Sequence, residues 1–195
     1  MKRILLLLFG LLVAGVAALW AVKMVDVAPG REVGQEIDQL NGVGVYYNGA
    51  VGTVTGRNTT PDGYNLGLKY QCVEFVKRYY YEHLDHRMPD SYGHARDFFD
   101  PAVADGSPNK RRNLTQYTNP SRRQPQVDDL LVFAGTAFNK YGHVAIVSAV
   151  ADDEIEIIQQ NPGPLGNSRE TYSLNHANGT WSIGNDRIVG WLRKE

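Results

Sequence analysis

Among 195 residues there is one cysteine, Cys72. A lone thiol excludes an intrachain disulfide framework and any cysteine-rich zinc module. Charge of one sign is also missing. Twenty Lys and Arg meet 21 Asp and Glu, a formal net charge of −1, which argues against a dedicated nucleic-acid partner. Low complexity is absent, and 43% of residues are hydrophobic, enough for one core in a chain of single-domain length. No segment repeats.

One long hydrophobic run is present. Residues 4–22 (ILLLLFGLLVAGVAALWAV) carry no charge and follow Lys2 and Arg3. As a helix this run spans about 28 Å, close to the ~30 Å hydrocarbon core of a bilayer. Residues 1–22 are therefore expected to be a signal peptide, with Val16-Ala17-Ala18 as a cleavage site, or an N-terminal membrane anchor. The preceding positive charges keep the N-terminus cytoplasmic. The rest of the chain is then expected on the periplasmic or extracellular side, tied to the inner membrane if residues 4–22 stay uncleaved. Beyond Arg3, 18 basic side chains face 21 acidic ones.

Residues 23–40, with Val33, Ile37 and Leu40 at helical spacing, read as a linker or lead-in helix, and 41–195 as the domain. Within it, 41–56 suggest short strands, 57–67 a turn-rich loop, 71–85 a helix and 92–100 a second short helix. Residues 101–126 read as a loop whose Lys110, Arg111, Arg112, Arg122 and Arg123 form either a cradle for an anion or a solvated stretch. Strands are expected at 129–134, 142–150, 154–160 and 187–193, with Asn178-Gly179 as a hairpin turn. Helices first and an antiparallel sheet after give an α+β class.

Cys72 falls in the first turn of the 71–85 helix. Unpaired N–H groups and the helix dipole there favour a thiolate and could stabilise an oxyanion. Buried structural cysteines are equally common. Of five histidines, His83 and His86 lie late on that helix, and His94 and His176 sit in polar turns. His143 opens a strand, a rigid platform for a catalytic side chain. With a three-residue loop at Ala151–Asp153, Val150 faces Glu154 and His143 faces Asn161. Alternation then puts His143, Gln159 and Asn161 on one face with Val147, Ile155 and Ile157.

These segments resemble the CHAP family, the cysteine- and histidine-dependent amidohydrolases/peptidases, and within it are similar to the amidase domain of bacterial glutathionylspermidine synthetase/amidase. Gly42-Val-Gly-Val-Tyr46, Tyr70-Gln-Cys-Val-Glu-Phe75 with Arg78, Gly142-His-Val-Ala-Ile146, Gln160-Asn161 and Ile188-Val-Gly-Trp-Leu192 carry the resemblance. It implies a papain-like fold with N-terminal helices packed on a C-terminal antiparallel sheet. It also implies Cys72 as nucleophile, His143 as general base and Gln159 as the residue orienting it. Asn161, Gln71 and Tyr46 are candidate supporting or oxyanion groups. No metal or cofactor is implied. The family pattern places a glutamate where this chain has Gln159; an amide oxygen can accept the imidazole N–H but brings no charge. The expected function is hydrolysis of an amide through a thioester, in peptidoglycan stem peptides given an exported domain. The alternatives are a glutathionylspermidine-type amidase acting on a small amide, or a catalytically degenerate, membrane-tethered binding module.

Overall fold

The structure is a computed structural model that describes residues 2–24 and 30–195, with side chains in the first segment described at residue 2 and residues 4–18. Helix α1 (Lys2–Met24) follows from the unbroken apolar run. Every large apolar side chain from Ile4 to Leu12 is more than half exposed, so this helix buries none of them in the domain. Among the described residues no helix is long and apolar enough to cross a membrane. The side chains of residues 19–22, the end of the apolar run, lie outside that description, as do residues 25–29 of the expected linker.

The rest is α+β. Strands β1 (Glu36–Leu40) and β2 (Val43–Tyr46) form one antiparallel pair, and β3 (Gly56–Thr59) and β4 (Asn65–Lys69) another. Helix α2 (Cys72–Glu82) and a 3-10 turn at Ala95–Phe98 follow. Then come β5 (Ser107–Asn109), β6 (Leu114–Thr118), β7 (Leu130–Phe133), β8 (His143–Val150), β9 (Glu154–Ile158), β10 (Arg169–Ala177), β11 (Thr180–Ile183) and β12 (Ile188–Arg193). The last eight form one antiparallel sheet in the order β11-β10-β9-β8-β7-β12-β6-β5. It curls until Ser121, just past β6, pairs with Trp181 of β11.

Alternation along the central strands feeds two cores. Leu130, Val132, Val144, Ile146 and Ile158 meet Phe75, Val76, Tyr79 and Tyr80 of α2. Leu131, Ala145, Val147, Ile155 and Ile157 point the other way and pack with Trp191 and Ile183 inside the curl. Strands buried on both faces are why β7 and β8 read as unbroken apolar runs.

Three sequence expectations change. Residues 36–40 form a strand rather than a lead-in helix, because Ile37 and Leu40 pack against the α2-side core. The expected 57–67 loop is largely the β3–β4 hairpin, closed at Thr60–Tyr64 by bonds between their backbones. The expected 101–126 loop contains β5 and β6. Two of its arginines are spent on the fold: Arg111 pairs with Asp90 at 2.7 Å, and the fully buried Arg112 donates to the carbonyls of Asp90 (2.5 Å) and Asp97 (3.1 Å), while Lys110, Arg122 and Arg123 are exposed. The Asn178-Gly179 turn is as expected, both residues having positive φ between Ala177 and Thr180.

Candidate active site

Helix α2 begins at Cys72. Its N-cap, Gln71, makes no capping bond with its side chain, which leaves first-turn N–H groups free to point at the thiol. The backbone N–H groups of Cys72, Val73 and Val144 lie near enough to the Cys72 sulfur to favour its thiolate. Val144 directly follows His143, so the start of β8 lies against the start of α2. Gly67 permits the close approach of β4 from the other side: its φ is +140°, and a Cβ there would stand 2.9 Å from Glu74 Cα. Cys72 keeps partial solvent access. Burial nevertheless pushes its thiol up to about 11, against the pull of the three N–H groups. The lowered pKa expected from helix position alone is thus overturned, since desolvation of a charge in this packing outweighs the dipole.

His143 is buried at the head of β8, behind Gly142. That glycine has φ +75°, and a Cβ on it would come within 2.5 Å of the Phe133 carbonyl. His143 Nε2 lies 2.9 Å from Gln159 Oε1. Gln159 Nε2 in turn donates to the Asn167 carbonyl at 3.0 Å. This second bond fixes which end of the amide faces the ring. Oε1 must accept, so Nε2 carries the imidazole proton and Nδ1 keeps a lone pair. Burial and the nearby Arg187 charge bring the His143 pKa down to about 4, partly opposed by the Gln159 bond.

The register that joins His143 to Gln159 arises differently from the expected three-residue loop. Ala151 donates to Glu154 at 2.8 Å, leaving a two-residue turn, Asp152-Asp153. Val150 therefore faces Ile155, not Glu154. A bulge at Ser148 takes up one residue, and beyond it Val147 faces Ile157 and Ile146 faces Ile158, the expected pairing. Asn161 does not reach His143. It leaves the strand with φ +52°, and its amide donates to the carbonyls of Val51 (2.9 Å) and Gln71 Oε1 (2.8 Å). Gln71 is spent likewise, its Nε2 donating to Thr53 (2.9 Å) and Val51 (3.3 Å) carbonyls. In this arrangement neither amide has a hydrogen left for an oxyanion. Tyr46 stacks beneath the Arg78 guanidinium at 4.8 Å and against Tyr70.

The residue that locks the two halves together is Gln160, which is fully buried. Its Oε1 accepts from the Tyr46 N–H at 2.8 Å, and its Nε2 donates to the Gln71 carbonyl (3.1 Å) and Glu74 Oε2 (2.9 Å). Glu74 also receives Arg78 (2.8 Å) and Asn58 (2.7 Å), and Arg78 reaches the Gly44 carbonyl at 2.7 Å. One buried network thus ties β2, β3, α2 and the end of β9. Glu74 and Arg78, four apart on a helix, were legible as a pair. Gln160 stood in the sequence as part of the Gln160-Asn161 pair that carries the family resemblance, and alternation turns it to the face opposite Gln159.

The other histidines stay apart from this site. Helix α2 ends at Glu82, so His86 lies past it rather than on it; it is buried and bonded to the Arg112 carbonyl at 2.9 Å, and His83, the C-cap, meets Asn41 at 3.0 Å. Among the described residues no group of three or more His, Cys, Asp or Glu could hold a metal ion.

The CHAP domain family matches residues 61–161, just over half of the chain, a stretch that contains Cys72, His143 and Gln159. Trypanothione synthetase of Crithidia fasciculata is 29% identical over 136 residues, covering 68% of this chain and 21% of that protein. Glutathionylspermidine synthase of the same organism is 32% identical over 141 residues, covering 65% of this chain and 19% of that protein. The chain spans about a fifth of the length of these relatives.

Proposed function

The chain belongs to the CHAP domain family, and from that premise we propose that it is a cysteine-dependent amidohydrolase/peptidase with Cys72 as nucleophile, His143 as general base and Gln159 as the residue that orients the base. The observation that carries this reading is the Gln159–His143 bond of 2.9 Å on a strand whose next N–H, that of Val144, lies near the Cys72 sulfur. His143 Nδ1 takes the thiol proton as the sulfur attacks a substrate carbonyl. The amine leaves with that proton, and water hydrolyses the thioester. The Cys72 N–H is the oxyanion donor best supported by the geometry. Gln71 and Asn161, with their amide hydrogens committed, act instead by holding the 51–53 segment against the helix start.

For the substrate, the uncharged run at 4–22 behind Lys2 and Arg3 supports an exported or membrane-anchored domain, and hence a peptidoglycan stem peptide. The relatives favour a second reading. Their names, trypanothione synthetase and glutathionylspermidine synthase, point to a glutathionylspermidine-type amide. Purified sacculi and glutathionylspermidine are each incubated with the protein and the products analysed by mass spectrometry. Release from sacculi alone supports the first reading, and cleavage of the conjugate alone the second. Full activity of Cys72→Ala or His143→Ala on either would overturn the mechanism. Absence of cleavage of both, with slow but normal alkylation of Cys72, would leave the degenerate binding module as the better account.

A further inference from the structure

Most arginines around the core are spent on the fold. Arg78 pairs with Glu74, Arg111 with Asp90, Arg169 with Asp38 and Glu156, and Arg193 with Asp129. Arg112 is sunk onto backbone carbonyls and the Phe98 ring. Arg187 is different. It sits in the turn before β12, and its backbone is pinned: its carbonyl accepts from Ala134 at 2.6 Å, and its own N–H donates to Asn185 Oδ1 at 2.9 Å. The side chain is exposed and makes no salt bridge among the described residues, with Asp186 beside it or with Glu170, which instead accepts the Tyr172 hydroxyl. Its one polar contact is a long one, 3.5 Å to the Ala134 carbonyl.

That guanidinium lies 5.8 Å from the centre of the Phe133 ring, and the Phe133 ring lies 5.7 Å from the His143 ring. A cation without a salt-bridge partner among the described residues therefore stands one aromatic ring away from the candidate base. We propose that Arg187 is a specificity-determining residue of this site, binding a free carboxylate that the substrate carries. The inference rests on the hydrolase reading above and narrows its substrate to acidic peptides. Three features support it. A guanidinium offers a planar fork of donors matched to a carboxylate. The backbone on both sides of Arg187 is held, so the base of the side chain is fixed beside the Phe133 ring. And its positive charge now works against protonation of His143, so an anion bound there relieves the base as the substrate docks.

Glutathionylspermidine offers the α-carboxylate of its γ-glutamyl residue and a stem peptide its C-terminal carboxylate, and the test keeps them apart. Four probes are used: glutathionylspermidine, its carboxamide, a stem tetrapeptide with a free C-terminal carboxylate and the same peptide amidated. Wild-type kcat/KM is expected to favour the acid over its amide by about 10- to 100-fold for one of the two pairs, in line with a charged hydrogen bond. In Arg187→Gln that ratio falls towards 1, mainly through KM, and Arg187→Lys restores part of it. In parallel, calorimetry on Cys72→Ala measures the affinity of each probe without turnover. The His143 ring is followed by NMR, where Arg187→Gln is expected to raise its pKa. An acid-to-amide ratio unchanged in Arg187→Gln overturns the inference while leaving the hydrolase reading in place. Binding by Cys72→Ala that prefers acid through Arg187, with no wild-type cleavage, does the reverse. Equal binding of acid and amide by the unmodified site also overturns it.

Discussion

At neutral pH the Cys72–His143 pair is expected to rest as thiol and neutral imidazole rather than as a preformed ion pair. Burial holds the thiol up at about 11 and the imidazole down at about 4. Moving a proton across that gap costs roughly 10 kcal/mol, at 1.36 kcal/mol per pH unit. Even charges in contact, ~4 Å apart at an effective dielectric constant of ~20, would return only about 4 kcal/mol. The remainder leaves a thiolate population on the order of 1 in 10,000 at pH 7, against about 3 in 100 for an ordinary thiol titrating near ~8.5. Iodoacetamide should therefore label Cys72 about 300-fold more slowly than a free cysteine at pH 7, and the rate should still be climbing at pH 10. Absorbance at 240 nm, compared with Cys72→Ala, should show no thiolate below pH 8. A labelling rate that levels off below pH 7 would refute this, and would mean that the N–H groups of Cys72, Val73 and Val144 outweigh desolvation after all. Under the neutral-pair account, proton transfer accompanies attack, and the oxyanion donors carry more of the catalytic burden.

Gln159→Glu supplies the charge that the amide lacks. It is expected to raise the His143 pKa by about 1–3 pH units, read from the ring proton shifts, while Gln159→Ala leaves the ring unoriented and lowers turnover by about 10-fold or more. Gln160→Leu strands the Tyr46 N–H and Glu74 Oε2 inside the protein, while the Gln71 carbonyl keeps the Phe75 N–H, and should cost about 3 kcal/mol or more in urea unfolding; a loss below about 1 kcal/mol would mean that the network is not what joins the sheet to the helix start. Stability should fall as pH drops from about 6.5 towards 4. The buried His143 stays neutral in the fold down to about 4, whereas the unfolded chain binds the proton first, and His143→Gln should flatten that slope of up to ~1.4 kcal/mol per pH unit. Lys77, buried against the Asn65 and Ser91 carbonyls, is brought down to about 7 by burial and by Arg112. Its unfolded value near 10.5 is higher, so stability should rise by about 2–3 kcal/mol from pH 7 to 9 in wild type and not in Lys77→Met, as measured by denaturant titration.

Local pattern was enough to specify the secondary elements nearest the chemistry. The apolar spacing from Val73 to Leu84 gave α2, although the side chains it buries fully are Phe75, Val76, Tyr79 and Tyr80. The unbroken runs at 130–133 and 143–150 gave two central strands, and Cys72, His143 and Gln159 stood out because their residue types and order are unusual together. Short polar strands such as β1, β3 and β5 were hidden, since their partners are chosen by contacts that no local period encodes. The register beside His143 was read correctly near the site for an incorrect reason: alternation alone does not tell a three-residue loop from a two-residue turn with a bulge at Ser148. Protonation was beyond the sequence altogether. A helix N-terminus argues for a thiolate, but how much water the fold removes from Cys72 and His143 depends on every element packed around them. The same holds for Gln160 and Arg187, one spent on joining the sheet to the helix start and the other left without a salt-bridge partner among the described residues. A chain determines which groups it carries and in what order; which of them lose water, find partners or stay free is decided only when distant segments close on one another.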